Sequence, residues 1–504
     1  MLKRVFQALS GARPGEQLPV LLSFMALLCL LLSYYLVKPL RDSMFLSYYQ
    51  ASDLAYMAIV VTVSSLVVIK FFNHWVGRIP RYRLMSITYA VMMICKLLFL
   101  LILPISGRWG TVVFYLWASV YFTLVLSILW GVINTIFSAR QAERSFGFVA
   151  LGATLGNISG AKLSAWLAGS AFKDWALLLS IGAMSAALGL ILLAVQIASR
   201  DPETARKQSG TAALHVSRGM QDIVSLFGNG YVRGIALMVF TLALISMAVQ
   251  FQAYGQIDRN TAATVYGEEF AWFDPPGQHF EVIYGLKKLD AAAQQARLKA
   301  LGRSGNLPTA QIQELSQSFG RYQKQFESRT RKVLSDVYAY QGLLGVFLLV
   351  VVARFLFRFV GLRYTVLILP AFYALAAMVL MFPLEIALIQ VLLVIGGALN
   401  YSLNNATKEL LYTPTSEAVR FQLKPLIEGP VMRLGDVTAS LLQIGISTAL
   451  ALWLALTEMS QGRLLLALGL LFIAAWMLAI WATGRRYDQA QQADPPRQEL
   501  DLHA

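Results

Sequence analysis

Runs of about 20 apolar residues, the length a helix needs to cross the hydrocarbon of a bilayer, follow one another from end to end of this chain. Inside lipid every backbone N–H and C=O must find its partner within the chain, so such runs fold as helices and not as open sheets. Twelve can be marked, near residues 18–46, 54–73, 84–104, 112–137, 148–171, 175–198, 234–252, 336–358, 364–383, 386–410, 434–455 and 464–482. Hydrophobic residues make up 57% of the sequence and charged ones 14%, so these runs dominate the composition. The fold class they dictate is an all-α integral membrane protein.

The formal net charge of +15 would suit a nucleic-acid partner, but the basic residues fall mainly in alternate short loops. That is the bias which orients inner-membrane proteins, and it predicts no nucleic-acid role. Arg78, Arg81 and Arg83 follow span 2, Arg140 and Arg144 follow span 4, and Arg485 and Arg486 follow span 12. The intervening short loops hold little beyond Arg108, Lys173 and Arg463. Both termini are therefore expected on the cytoplasmic side of a bacterial inner membrane. The first apolar run is too long for a signal-peptide core, so it is expected to remain as span 1.

A polar segment at 199–231, opening with Asp201-Pro202-Glu203 and including a mildly amphipathic stretch from Val216 to Phe227, divides the spans six and six. The predicted organisation is an N-terminal six-helix half at 1–198, a cytoplasmic linker at 199–231, helix 7 at 232–254, an outer-side insert at 255–335, the rest of the C-terminal half at 336–484, and a disordered cytoplasmic tail at 485–504. Two six-helix halves suit the major-facilitator design, whose substrate site lies near mid-membrane. The insert holds a turn-rich start, Trp272-Phe-Asp-Pro-Pro-Gly277, and two apolar stripes separated by Gly302 to Pro308. Val282, Leu286, Leu289, Ala293, Ala296 and Ala300 form the first; Ile312, Leu315, Phe319, Tyr322 and Phe326 form the second. Their spacing predicts a helical hairpin between helices 7 and 8, acting as a lid, a dock for a periplasmic protein, or a passive cap.

Equipment for soluble-style catalysis is not visible. Cys29 and Cys95 lie inside apolar spans and read as small buried residues. His74, His215, His279 and His503 have no ligand spacing, and no Walker-type loop or nucleophile elbow is present. The sequence therefore predicts neither metal nor cofactor, and a transporter in place of an enzyme.

The polar residues inside the spans carry the functional signal, because charge in lipid is costly without a partner or water. Span 1 ends in Lys38, Arg41 and Asp42, with the two cations three residues apart on one face and Pro39 between them. They read either as ligands of an anion or as flanks reaching back to the interface. Lys96 lies near the middle of span 3, and Lys162 lies in span 5 within Asn157-Ile-Ser-Gly-Ala-Lys162. Acids in the spans are few, chiefly Asp42, Glu409 and Asp436, so an anionic solute is a reasonable counter-charge. Gly152, Gly156 and Gly160 repeat at four-residue intervals, a stripe that lets two membrane helices approach closely. In span 10, Tyr401, Asn405, Lys408 and Tyr412 fall on one helical face with Asn404 beside it, while Trp130 and Asn134 share a face in span 4. Such groups can stack on a planar ring, hydrogen-bond a sugar or base and neutralise phosphate; a polar seam between helices is the alternative.

Lys408-Glu-Leu-Leu-Tyr412-Thr-Pro414, followed by Lys424-Pro-Leu-Ile-Glu428 and Arg433-Leu-Gly-Asp436, resembles the signature of the ATP/ADP translocase family of intracellular bacteria and plastids. Leu40-Arg41-Asp42 resembles that family's span 1 motif, and Trp130-Gly131 through Asn134, with Ala142-Glu143-Arg144 and Gly152, resembles its span 4 to 5 region. The resemblance implies a major-facilitator-like nucleotide exchanger, with Lys38, Arg41, Asn134, Lys408 and Glu409 as candidates by matched motif. The chain departs from the family at Glu428, where Asp is usual, at Leu410-Leu411, where Met-Ala is usual, and at Phe421-Gln-Leu-Lys424, which replaces a Lys-Gly-Lys run. These departures look more like the broad bacterial relatives of the translocases.

The expected function is secondary transport of an anionic, phosphorylated solute, with nucleotide exchange leading. Lys38, Arg41, Lys162 and Lys408 would bind the anion, and Trp130, Asn134, Tyr401, Asn404 and Asn405 would shape the pocket. Asp42, Lys96, Glu409, Glu428, Arg433 and Asp436 would pair charges or gate. Export of a phosphorylated lipid or cell-wall intermediate would use the same cations, and a membrane scaffold or sensor would act through the insert.

Overall fold

The computed structural model describes residues 10–493 apart from 11, 14–15, 77, 138, 171, 173–174, 200–229, 275–276, 306, 413–414, 416–418, 420–422 and 455–456. The expected linker's amphipathic stretch at 216–227 and the last part of the expected tail, 494–504, lie outside these residues. All regular structure among the described residues is helical. Among the described residues ten helices are long and apolar enough to cross a membrane, so the chain is a multi-pass membrane protein.

The N-terminal part comprises α1 (Gln17–Tyr48), α2 (Leu54–Val76), α3 (Arg81–Ile136), α4 (Ala139–Ala168) and α5 (Ala176–Ala198). α3 includes two of the expected spans, separated where Gly107 adopts φ 55°, ψ −140° beyond Pro104. A side chain at that φ would be strained, so glycine makes the reversal possible. α6 (Gly230–Glu269), α7 (Phe280–Gly285), α8 (Ala291–Ser304) and α9 (Thr309–Phe347) follow. The remainder holds α10 (Leu362–Thr365), α11 (Ile368–Leu380), α12 (Ile386–Leu399), α13 (Asn405–Tyr412), α14 (Met432–Gly445) and α15 (Glu458–Ala493). α15 continues through Ala493, so residues 485–493, expected to be an irregular tail, are helical.

The chain divides into two compact units. The first contains residues 1–50, 63–213 and 258–342; the second contains 51–62, 214–257 and 343–504. The division differs from the expected one, because 258–342 groups with the N-terminal half. α6 runs on to Glu269 and α9 begins at Thr309, so two helices of the insert are extensions of spans, and Asp336 and Tyr338 of α9 bond to Lys162 and Asp42 of the N-terminal half.

In the first unit α1 is central, packed against α3, α4 and α5. Leu27, Leu30, Tyr34, Tyr121, Leu129, Met184 and Ile191 form one buried cluster, and Leu36, Val37, Phe114, Ala118 and Leu167 form a second. The glycine stripe explains the closeness of α4: a Cβ on Gly152, Gly156 or Gly160 would lie 2.2, 2.2 or 2.6 Å from the carbonyl oxygen of Phe24, Leu28 or Leu32 respectively. The stripe is therefore a packing seam.

The insert meets its expectation only in part. Leu315, Phe319, Tyr322 and Phe326 are buried along α9 as the second stripe requires. The first stripe does not form one face: a 3₁₀ turn at Leu286–Lys288 and the Asp290 N-cap, which accepts from the Ala293 N–H at 2.7 Å, start a new helix at Ala291, and Ala296 and Ala300 are exposed. What anchors this region is polar. Lys287 Nζ, 5% exposed, pairs at 2.7 Å with Asp258, 1% exposed, which also accepts the Tyr284 hydroxyl at 2.8 Å. Removing one member of a buried ion pair leaves the other uncompensated. Asp258→Asn is therefore expected to cost about 3–5 kcal/mol locally and to open the insert to proteolysis. A cleavage rate equal to wild type at the 270–308 turns would refute this anchor.

In the second unit Trp476 is fully buried on α15 and lies 6.4 Å from Tyr373 of α11. The Gln256 amide closes the turn between α11 and α12, donating to the Leu380 and Phe382 carbonyls at 2.8 and 3.0 Å and accepting the Leu384 N–H at 2.9 Å. Gly435 of the Arg433–Asp436 motif abuts the Phe240 carbonyl oxygen of α6, where a Cβ would come within 2.4 Å. That motif glycine is thus explained by packing.

Candidate functional site

The first unit brings its sequence-marked cations to one end of α1. Arg41 Nε donates to Asp42 Oδ1 at 2.7 Å and Nη1 to Ser119 Oγ at 2.9 Å, with the guanidinium 4.5 Å above the Tyr115 ring. Asp42, buried, also accepts the hydroxyl of Tyr338 at 2.8 Å. Lys38 Nζ lies 4.0 Å from the centroid of the same Tyr338 ring, 5.4 Å from Tyr35 and 5.9 Å from Tyr34. Among the described residues no carboxylate lies within ion-pair distance of it. Three aromatic faces attract a cation, each worth about 0.5–2 kcal/mol, but give its three N–H donors no oxygen to bond. A half-buried ammonium so placed retains its capacity for an anion.

Lys162 does not share that freedom. Its Nζ pairs with Asp336 at 2.7 Å and lies 4.0 Å from the Tyr340 ring. Its acid is none of Asp42, Glu409 and Asp436 but Asp336, which lies at the edge of span 8, far away in sequence. Asp336 and Tyr340, four residues apart on α9, face Lys162 of α4, while Tyr338 between them points from another side of the helix to Lys38 and Asp42 of α1, so α9 supplies both an acid for α4 and an aromatic ring for α1. Ser119, Tyr115, Tyr338 and Asp336 were not marked from sequence. Tyr34 and Tyr35 had a signal, standing four and three residues before Lys38 on the same helix.

Lys96 corrects an expectation. It was expected to pair charge or to gate, yet it is 0% exposed and donates to three hydroxyls, Ser33 Oγ at 2.8 Å, Ser180 Oγ at 2.7 Å and Tyr121 OH at 3.1 Å, and to the Met184 sulfur at 3.6 Å, with no carboxylate partner among the described residues. The two serines also clasp α1 to α5, each donating at 2.8 Å to the carbonyl of the other. Their protons are spent on carbonyls, so their lone pairs face the ammonium. Ser180→Ala is expected to destabilise the protein by about 1–3 kcal/mol by removing one acceptor from a buried charge, and Lys96→Met in the same chain to restore most of the loss. Additive losses in the double variant, measured by thermal unfolding in detergent, would show that the box does not work this way.

In the second unit a π-helical turn at Asn400–Asn404 interrupts the helix between α12 and α13. Widening the helix by one residue breaks the face expected to join Tyr401, Asn405, Lys408 and Tyr412. Tyr401 is 66% exposed and Asn405 is exposed, whereas Asn404 is 5% exposed, accepting or donating nothing beyond its 3.2 Å bond to Asn400 Oδ1 and local backbone, and Tyr412 is buried. Lys408 is half-buried and pairs with Glu428 at 3.2 Å, Glu409 with Lys424 at 2.7 Å, and Arg433 with Asp436 at 3.2 Å. Trp130 is half-buried against Phe146, ring centroids 5.7 Å apart, and Asn134 is exposed. No group of three or more His, Cys, Asp or Glu side chains able to hold a metal occurs among the described residues.

No curated, characterised protein matches the sequence. Among solved structures, the nucleoside transporter NupG is 10% identical, with 92% of this chain and 98% of that chain covered and a TM-score of 0.53. A bacterial homologue of the human lysosomal transporter Spinster, inward-facing and unoccupied, is 11% identical over 95% of this chain and 99% of its own, with a TM-score of 0.55. An auto-inhibited peptide transporter of the POT family is 14% identical over 96% and 99%, with a TM-score of 0.51. At these identities the likeness is one of fold. Residues 339–487, which include the Lys408–Tyr412 and Arg433–Asp436 motifs, match the model of the TLC ATP/ADP transporter family. The chain is thus a multi-pass membrane protein that shares its overall fold with these solved transporters and whose residues 339–487 are similar to the TLC ATP/ADP transporter family.

Proposed function

We propose that this transporter exchanges nucleotides of the ATP/ADP type across a bacterial inner membrane by alternating access. The observation that carries the proposal is Lys38, a half-buried ammonium faced by three tyrosine rings and by no carboxylate within ion-pair distance among the described residues. A phosphate can take its N–H donors without first displacing a resident acid. Arg41, Lys162 and Lys408 have such acids in Asp42, Asp336 and Glu428, which neutralise them while no solute is bound. Tyrosine rings beside Lys38 offer stacking surface for a planar base. The name of the matching family and the description of NupG as a nucleoside transporter agree with a nucleotide solute.

In this reading the spans number twelve. The count is reached from the ten helices above when Tyr82–Ile136 is divided at Gly107 and α4, whose glycines and serines lower its hydropathy, is included. The loop bias puts both termini in the cytoplasm and the helices at 258–342 on the outer side. Uptake of labelled ATP into vesicles loaded with ADP tests the function, and uptake no greater than into empty vesicles would remove exchange.

A further inference from the structure

The second unit carries a crevice that the transport reading does not use. Gly234 and Met238 of α6, Leu362, Arg363 and Val366 at α10, Leu411 of α13, and Ile480 and Thr483 of α15 line a shallow, narrow crevice. By the loop bias all these positions lie at the cytoplasmic ends of their spans.

The lining is apolar except at two points. Thr483 spends its hydroxyl on the Ala479 carbonyl at 2.8 Å. Arg363 spends nothing: its Nε is buried without a hydrogen-bond partner, and no carboxylate among the described residues lies within ion-pair distance. Its guanidinium stands 5.2 Å from the Trp481 ring and 5.6 Å from Tyr364. Arg485 stands 4.5 Å from the same Trp481 ring and likewise has no acid partner among the described residues. One indole thus gathers two unpaired guanidiniums at the rim of an apolar cleft. Trp481 and Tyr364 are 43% and 57% exposed, as aromatic residues at a membrane interface are.

We propose that the mouth of this crevice binds an anionic phospholipid, with Arg363 and Arg485 on the phosphodiester and the first acyl segment along the exposed flank of Leu362, Tyr364 and Trp481. Planar guanidiniums suit bidentate phosphate contact, and basic pockets between membrane helices on the cytoplasmic side take acidic headgroups. A soluble nucleotide would share the phosphate chemistry but would find no amide or free hydroxyl here for its sugar and base. The site adjoins the Lys408–Tyr412 motif, because Tyr231 donates to the Leu411 carbonyl at 2.7 Å, so its occupant would brace that segment.

The test is native mass spectrometry and thermal unfolding of the full chain in detergent with added phosphatidylglycerol, phosphatidylcholine, inorganic phosphate or ATP. Phosphatidylglycerol is expected to raise the unfolding temperature of the wild type and phosphatidylcholine to leave it nearly unchanged. Arg363→Gln should weaken phosphatidylglycerol adducts about tenfold, the loss of one charge-assisted contact, while leaving any ATP-induced shift intact. Arg485→Gln, at the exposed end of the pair, gives the same readout should the first variant fold poorly. Equal phosphatidylglycerol binding by wild type and Arg485→Gln would overturn the proposal. So would loss of the phosphate or ATP shift with lipid binding unchanged, which would assign the crevice to a soluble phosphate. Neither outcome depends on whether nucleotide is the transported solute.

Discussion

Vesicles carrying Lys38→Met are expected to lose nucleotide exchange by roughly a hundredfold or more, while the protein is recovered folded and in normal yield. The estimate follows from the position of the ammonium. Truncating one side of a desolvated charge–phosphate contact costs about 2–5 kcal/mol, and each 1.4 kcal/mol is a factor of ten. Folding has little stake in this charge: Lys38 makes no ion pair among the described residues, and methionine preserves the straight stem that packs over Tyr338. Lys38→Arg keeps the charge and should retain part of the activity, limited by the bulk of a planar group between three rings. Tyr338→Phe keeps the ring beside Lys38 and removes the 2.8 Å bond to Asp42, so its effect should be smaller than that of Lys38→Met. Exchange by Lys38→Met within tenfold of wild type would mean that the phosphate is bound elsewhere.

How far this site was legible in the sequence depends on the reach of each contact along the chain. Spans were legible because hydrocarbon thickness fixes their length, and the glycines of α4 were legible as packing because 3.6-residue periodicity puts every fourth residue on one face. Arg41 and Asp42 adjoin one another, so their pairing could be read directly. The partner of Lys162 could not, because Asp336 reaches it from a helix that begins in the insert. Nothing local in Asp336-Val-Tyr338-Ala-Tyr340 announces that this stretch lies against α1 and α4. Lys96 was misread for the opposite reason. An ammonium in an apolar span suggests a missing acid, whereas two serines from α1 and α5 and a tyrosine from α3 supply three oxygens at once. The π turn at Asn400–Asn404 was also invisible, since helical-wheel spacing assumes a constant period, and one extra residue rotates Tyr401 away from Lys408.

Gly156→Leu is expected to prevent assembly of the first unit, and Gly156→Ala to destabilise it by about 1–3 kcal/mol or more, the range for overpacking a rigid contact. The obstacle is backbone and cannot rotate aside: an added Cβ would lie 2.2 Å from the Leu28 carbonyl oxygen, 2.9 Å from its carbon and 3.0 Å from Leu28 Cα. Relief requires α1 and α4 to move apart by about 1 Å, and that separation opens voids around Leu27 and Leu30, both fully buried. Gly152 and Gly160 make the same approach one turn to either side, so the helices cannot pivot about Gly156 to escape. Gly147 provides the internal control. It lies on the same helix, and a Cβ there meets nothing within 4 Å. Gly147→Ala should therefore be neutral, or stabilising by up to about 1 kcal/mol through helix propensity. Equal unfolding temperatures for Gly147→Ala and Gly156→Ala would show that the α1–α4 seam tolerates separation. A drop confined to Gly156→Ala, together with lost exchange, would tie the position of Lys38 on α1 to the close contact that holds α1 against α4.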